Sequence, residues 1–516
     1  MGSIFVPPGR RVRIEREPVG GEYDRCMHSS EGAAVVGAGP NGLAAAVTLA
    51  RAGVPVTVFE AAETIGGGTR TTELVEPGVL HDVCSAIHPM ALATGFFRAF
   101  EIERRMEFVV PEASFANPLD GRAGGGSDRA AIAYHDLDRT VAELGRDGSA
   151  YGRFYRPLLA RMPDVLDFAL GGGMLRWPAP PIAAALTGLR ALEQGTPLWN
   201  LRFREAAAPA LLSGVAAHSI GRLPNLATAG VGLVLGALAH TVGWPVPVGG
   251  SRAITDALAT DLLAHGGRIE TGHPIDDIRE LGAYRVRLFD TSARGLERIA
   301  GSALPARYRR ALRRFSYGDA ATKVDFVLDG PIPWSDPRVS QAPTVHVGGS
   351  RPELAASERI VASGGHPARP YVLLAQTAEF DPGRNAPGVN AVWSYTHVPS
   401  GSTVDMAEPV IRQIERFAPG FRDRIRAVRV TTADEMSRYN RNYHGGDFSA
   451  GAITLPQLIA RPTVSADPWR TPGRGIYLAS SSTPPGPGVH GLSGWYAAKS
   501  VLRHEYGLPE PDLGLR

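Results

Sequence analysis

The residues most ready for chemistry lie near the N-terminal end: Gly37, Gly39 and Gly42 in "VVGAGPNG", and an acid, Glu60, 23 residues after the first of them. At GxGxxG spacing the first glycine makes a tight turn, the second lets backbone approach a pyrophosphate, and the third lets the following helix pack close on the preceding strand. Pro40 and Asn41 then open a helix whose unpaired N–H groups face an anion. Glu60 ends the next strand-like run, where a carboxylate accepts ribose hydroxyls and repels a 2′-phosphate. The pattern predicts a bound dinucleotide that carries no 2′-phosphate.

Such a turn works only when a strand and a helix hold it. "AAVVGAGPNGLAAAVTLARAGVPVTVFE", residues 33–60, reads as strand, glycine turn, Ala-rich helix, a stop at Gly53, and second strand. "GGSRAITDALATDLLAHGGRIETGHPIDDI" repeats helix then strand, with Ser251 placed to cap the helix. "GIYLASSSTPPGPGVHGLSGWYAAKSVL" gives a strand, a Gly/Pro turn and a closing helix. Between these units lie a helix-rich middle (139–243) and a region (317–469) with strand-like runs "TKVDFVLDG", "YVLLAQTAEF" and "NAVWSYTHV". This order predicts an α/β protein: a Rossmann-like domain assembled from 32–115, 244–316 and 470–516, and an inserted mixed sheet-and-helix (α+β) substrate domain from 116–243 and 317–469.

Composition narrows the classes. With 516 residues, 44% apolar and 20% charged, two substantial domains are affordable. The 54 Lys+Arg stand against 51 Asp+Glu and are scattered, so nucleic acid is not an expected partner. Cys26 and Cys84 form no CxxC pair, which argues against a structural zinc site or a redox disulfide, and the histidines show no HxxxH or HExxH spacing, so no metal is expected. Residues 1–31 read as a disordered leader without a signal sequence, and "GRAGGGSDR" at 121–129 as a hairpin tip. From Leu223 to Ser251 there is no charge, yet Pro and Gly interrupt the run, so a buried helix beside an apolar pocket is expected rather than a membrane span.

"IGGGTRT" after Glu60, then "HDVCSAIHP", resembles the FAD-binding start of the phytoene-desaturase-like flavoproteins, relatives of the amine oxidases. The C-terminal "GIYLASSSTPPGPGVHGLSGWYAA" is similar to their closing motif, and "RYNRNYHGGDFSAGAITLPQLIARP" resembles the branch named pyridine nucleotide-disulphide oxidoreductase domain-containing protein 2. The resemblance runs from residue 32 onward. It implies that Gly66, Gly67, Gly68, Thr69 and Arg70 close over the FAD pyrophosphate and ribityl region, and that Ile275 presents backbone to the adenine. It implies further that Ser481, Ser482 and Thr483 meet the ribityl-pyrophosphate junction while Pro485, Gly486, Pro487, Gly488 and Val489 pass beside the isoalloxazine. Two departures stand out: "SS" at 480–481 where the motif has "GA" or "GD", and Pro484 where it has His.

A flavin accepts hydride at N5, so such a protein mainly aligns substrate and excludes water. Cys84, Ser85 and His88 in "CSAIHP", with Ser85 also counted among the cofactor contacts, are candidates to face the ring. Trp393, Tyr395 and His397 alternate at period two and share one face if their run is a strand. That face could hold an apolar or cationic substrate and take up a proton; an aromatic core face with one satisfied histidine is the competing reading. His490, beside the flavin turn, and Tyr439, Asn442, Tyr443 and His444 complete the set. The expected activity is FAD-dependent removal of hydride from a mostly apolar small molecule, with reoxidation by oxygen or a quinone, in a cytoplasmic protein with peripheral membrane contact where the substrate lives in lipid. The alternatives are amine oxidase-like C–N oxidation and a flavin-bound scaffold without redox turnover.

Overall fold

A computed structural model describes residues 31–121, 129–172 and 180–515; the expected leader, apart from Glu31, and most of the 121–129 tip lie outside them. The glycine turn follows strand β1 (Ala33–Val36) and opens helix α1 (Pro40–Arg51), which has Pro at its first position. Proline belongs there because its missing N–H would be unpaired anyway. Gly53, at φ +82°, turns the chain out of α1 toward β2 (Val56–Phe59). Strands β3 (Arg268–Glu270), β4 (Val286–Phe289) and β5 (Ile476–Leu478) complete an all-parallel sheet in the order β5-β4-β1-β2-β3. Its strands are apolar and nearly all buried in the middle, as a sheet covered on both faces requires. α1 packs between helices Arg252–Ala264 and Leu492–Val501 on one face, and helices Ala293–Ala300 and Ala306–Arg314 cover the other.

A seven-stranded mixed sheet stands beside it, in the order Ile425–Thr431, Ala320–Asp329, Val389–Val398, Val372–Ala375, Thr344–Val347, Ala113–Asn117, Ala131–Tyr134. Its pairings are antiparallel except where Ala113–Asn117 runs parallel to Thr344–Val347. The three strand-like runs of 317–469 lie in it, and its strand at Ala113 starts three residues before the expected boundary at 116. Alternation sorts the long strand Val389–Val398. Val392 and Val398 face the helix Ala407–Glu415, while Trp393 and Tyr395 face the opposite side with Leu373 and Ala375.

The uncharged stretch 223–251 contains the buried helix Leu226–Ala239, capped by the Asn225 side chain on the Ala227 N–H. No helix among the described residues is long and apolar enough to cross a membrane. Ser251 precedes its helix as expected but does not cap it: its hydroxyl donates to the Ser85 carbonyl oxygen at 2.6 Å.

Candidate functional site

A cavity of about 1370 Å³ runs from the carboxyl ends of β1, β2 and β4 to the Trp393–Tyr395 face of the large sheet, and on between helices Pro181–Gln194 and Leu226–Ala239. A single drug-sized ligand fills roughly 300–1,000 Å³, so this space suits a dinucleotide together with a second molecule.

At the parallel-sheet end, Gly37, Gly39, Pro40 and Asn41 line the cavity. Gly37 has φ +105°, and a Cβ on Gly42 would lie 2.1 Å from the Gly37 carbonyl oxygen. Glu60 is buried at the end of β2; its carboxylate accepts the Ala38 and Ala62 N–H groups, each at 2.9 Å, and pairs with Arg70 at 3.2 Å. Roughly four lone-pair sites on a carboxylate leave room for a ribose hydroxyl. Gly67, Gly68, Thr69 and Arg70 line the cavity, whereas Gly66 supports them from behind through its N–H to the Ala38 carbonyl at 2.9 Å. Arg70 is folded back: besides Glu60 it donates to the Thr64 carbonyl at 2.7 Å. Ser85 and Ile275 line the same wall, the Ser85 hydroxyl donating to the Gly68 carbonyl at 3.1 Å.

The Gly42 N–H donates not into the open cavity but to Asp290 Oδ2, at 2.9 Å. Asp290 follows β4, and burial together with the charge of Glu60 moves its carboxyl up to about 7. Its one signal in the sequence is an acid placed directly after an apolar strand-like run, "VRLF".

The C-terminal turn divides. Ser480, Ser481, Pro485, Pro487, Gly488 and Val489 line the cavity. Ser482 and Thr483 do not reach it, because their hydroxyls are used inside the turn: Ser482 Oγ accepts the Ala293 N–H and donates to the Ala450 carbonyl, and Thr483 donates to the Ser480 carbonyl. Gly486 is also held within the turn, its N–H on the Thr483 carbonyl. His490 clamps it from below. Its Nδ1 accepts the Leu492 N–H at 2.9 Å, so its Nε2–H donates to the Gly486 carbonyl at 3.0 Å; burial holds the ring neutral by moving its pKa down to about 4. A further residue missed in sequence, the buried Arg461, lines the cavity and donates to the Ser481 carbonyl at 2.7 Å.

At the other end, Trp393 and Tyr395 present their rings, with centroids 5.2 Å apart at 85°. His397 shares their strand face but lies beyond the cavity, its Nδ1 2.9 Å from both carboxylate oxygens of the buried Glu358. Its Nδ1 is thus satisfied within the core, while its buried Nε2 has no hydrogen-bond partner among the described residues. His88 does line the cavity. Its Nε2 lies 2.7 Å from Ser251 Oγ, whose proton is committed to Ser85, so Nε2 carries the ring proton and Nδ1 is the acceptor. Burial moves this ring down to about 4 as well. Cys84, Tyr439, Asn442, Tyr443 and His444 also line the wall.

A family model described as an NAD(P)-binding Rossmann-like domain matches residues 35–100. The pyridine nucleotide-disulfide oxidoreductase domain-containing protein 2 of Rattus norvegicus is 25% identical, over 93% of this chain and 94% of that protein. Hydroxyneurosporene desaturase of Cereibacter sphaeroides is 29% identical over 53% of this chain and 54% of its own length. A solved putrescine oxidase variant superimposes with a TM-score of 0.56 at 15% identity, covering 92% of this chain and 99% of its own. In sequence the chain is similar to the first two of these proteins, and in fold to the third. The disulfide in the name of the Rattus norvegicus protein has no counterpart at the site, where Cys84 is a free, buried thiol; Cys26 lies outside the described residues. The fold is the mixed α/β fold of the amine oxidase-type neighbours, and the first and last of the three stretches that build the parallel sheet carry motifs likened above to those of flavoproteins.

Proposed function

We propose that the protein binds FAD and oxidises a mostly apolar small molecule by hydride removal, with oxygen or a quinone as the final acceptor. One observation carries the reading: a single cavity joins a dinucleotide-shaped polar end to an apolar arm between helices. The polar end fits FAD by its own chemistry. A Cβ on Gly39 would approach Asp290 Oδ2 to 2.7 Å, Glu60 has acceptor capacity for a ribose, and the buried Asn41 Oδ1 has no hydrogen-bond partner among the described residues. When bound, FAD supplies the hydride-accepting centre. Around it, the residues of the chain divide the work: Glu60 holds the ribose, the Gly67–Thr69 and Ser480–Val489 loops flank the cofactor, and Trp393 and Tyr395 give the substrate an aromatic wall. His88, neutral and with Nδ1 as acceptor, takes a proton released from the substrate.

The amine reading is weaker at this site. The Lys323 ammonium, paired with Asp325 at 3.1 Å, already lies 5.5 Å from the centre of the Trp393 ring, so one cation already engages that ring. Anaerobic mixing of FAD-loaded protein with a polyene, an amine and a panel of apolar alcohols, while following the visible flavin band, tests the proposal. Bleaching by an apolar compound is expected; bleaching by the amine alone would favour C–N oxidation, and none by any compound a scaffold.

The same reading includes contact with lipid. Ile182, Leu189 and Leu192 are 52%, 57% and 52% exposed on helix Pro181–Gln194, at spacings that form one outward apolar stripe, and Leu192 also lines the cavity. An apolar helical face at the rim of an apolar arm suits a membrane surface. Co-sedimentation with phospholipid vesicles should fall at least about tenfold in the Leu189→Glu, Leu192→Glu double variant, since each buried leucine contributes roughly 1.5–3 kcal/mol. Equal sedimentation of the two proteins would remove this helix from the contact.

A further inference from the structure

We propose that His218 reads a hydrogen-bond donor on the substrate, so that the oxidised molecule is apolar but carries one uncharged O–H or N–H group. The inference rests on the cavity being the substrate site. His218 follows helix Ala207–Ala217 and enters the apolar arm beside Val234, Leu235, Trp244 and Leu373. A polar group on such a wall needs a reason, because an unpaired polar atom in apolar surroundings is costly.

The side chains behind it fix which nitrogen carries the proton. Asn117 Nδ2 donates to the Ala210 carbonyl at 3.0 Å, which leaves Asn117 Oδ1 as the acceptor facing His346 Nδ1 at 3.1 Å. His346 therefore holds its proton on Nδ1 and offers Nε2 as a lone pair. His218 Nε2 lies 2.8 Å from that atom and must be the donor, so the neutral His218 ring has its own lone pair on Nδ1. Among the described residues that Nδ1 has no hydrogen-bond partner. Burial keeps both rings neutral, moving His218 down to about 3 and His346 well below its ordinary value. The relay therefore presents a fixed acceptor and not a charge.

The surroundings are shaped for this relay. Asn117 and His346 lie on adjacent parallel strands, one position beyond the Val345–Ala116 pair. Helix Ala207–Ala217 crosses them at Gly214, where a Cβ would lie 2.3 Å from Asn117 Nδ2 and 2.7 Å from His346 Nδ1. The rings of Phe115 and Trp244 pack against His346 and His218 with centroids 5.0 and 5.3 Å away, which keeps competing water from the pair. An ammonium would also satisfy Nδ1 as a donor, but the relay ends in an amide rather than a carboxylate and offers no countercharge for a desolvated cation.

The test uses FAD-loaded protein and matched pairs, retinol with its methyl ether and 1-dodecanol with dodecyl methyl ether, and reads binding by quenching of tryptophan fluorescence. Wild-type protein should prefer each alcohol by roughly 5- to 100-fold, the range expected when a buried acceptor gains or loses its only donor. His218→Phe should erase the preference and His218→Gln should restore part of it, since an amide can donate to His346 and still offer an oxygen. Gly214→Ala, which keeps both histidines in the sequence but crowds Asn117 and His346 behind His218, should weaken it. Equal binding of alcohol and ether by the wild type, or an undiminished preference in His218→Phe, overturns the assignment of His218 while leaving the redox reading intact. If neither member of either pair binds, the inference falls together with the substrate site on which it rests.

Discussion

Asp290→Asn is expected to melt at a higher temperature than the wild type without flavin, and to hold FAD more tightly above neutral pH. In the folded chain the Asp290 carboxyl titrates at about 7, against about 3.9 for an unfolded aspartate. Its pKa is raised on folding, so between these two values the folded state binds more protons than the unfolded one and stability falls as pH rises. The loss begins near the unfolded value, grows to about pH 7, and is constant above that. Its upper bound is about 4 kcal/mol, and the solvent that reaches this half-buried carboxyl through the cavity lowers it. Asparagine keeps an oxygen for the Gly42 N–H and has no charge to desolvate. The two proteins should therefore melt alike near pH 4 and diverge progressively toward pH 7.

Flavin retention tests the same group differently. Asp290 Oδ2 sits at the N-terminus of α1, where a pyrophosphate would be received, and an ionised carboxylate there repels it. Wild-type FAD affinity, measured by titration, should be flat below about pH 7 and fall above it, whereas the variant should be flat across that range. A wild-type affinity independent of pH would place Asp290 outside the cofactor's field. A variant melting below the wild type at alkaline pH would mean that its hydrogen bond outweighs its desolvation.

What was legible in the sequence was local. The glycine turn, Glu60 and the apolar run at 226–239 are each set by neighbours within a few residues of one another, and spacing alone reads them. What escaped depends on long-range register. Asp290 meets Gly42 across 248 residues because β4 pairs with β1, and His346 meets His218 across 128 and Asn117 across 229. Trp393, Tyr395 and His397 do share a face, as alternation requires, but alternation cannot say where along the strand a cavity ends. Ser251 shows the converse error. A serine before an apolar helix is ordinarily a cap, yet here its hydroxyl links Ser85 to His88, contacts made by segments more than 160 residues away.

The other large effect concerns the closing helix. Gly494→Ala is expected to destabilise the protein at or beyond the upper end of the roughly 1–3 kcal/mol typical of overpacking, and to abolish FAD binding at the remaining folded fraction. Helix Leu492–Val501 lies directly on α1, and a Cβ at 494 would sit 1.7 Å from the Asn41 carbonyl oxygen and 3.1 Å from the Ala45 nitrogen. These are backbone atoms of the first two turns of α1, which no rotamer change can move aside. Relief requires the two helices to separate, carrying Pro40 and Asn41 away from Gly37 and loosening the turn just where phosphate would meet N–H groups. Gly95→Ala is a matched control, since its Cβ would meet only the Trp495 ring, at 3.3 Å. It should lower the melting temperature by less and leave FAD affinity near that of the wild type. If Gly494→Ala instead bound FAD normally at a lowered melting temperature, the position of α1 would not control the cofactor end of the cavity.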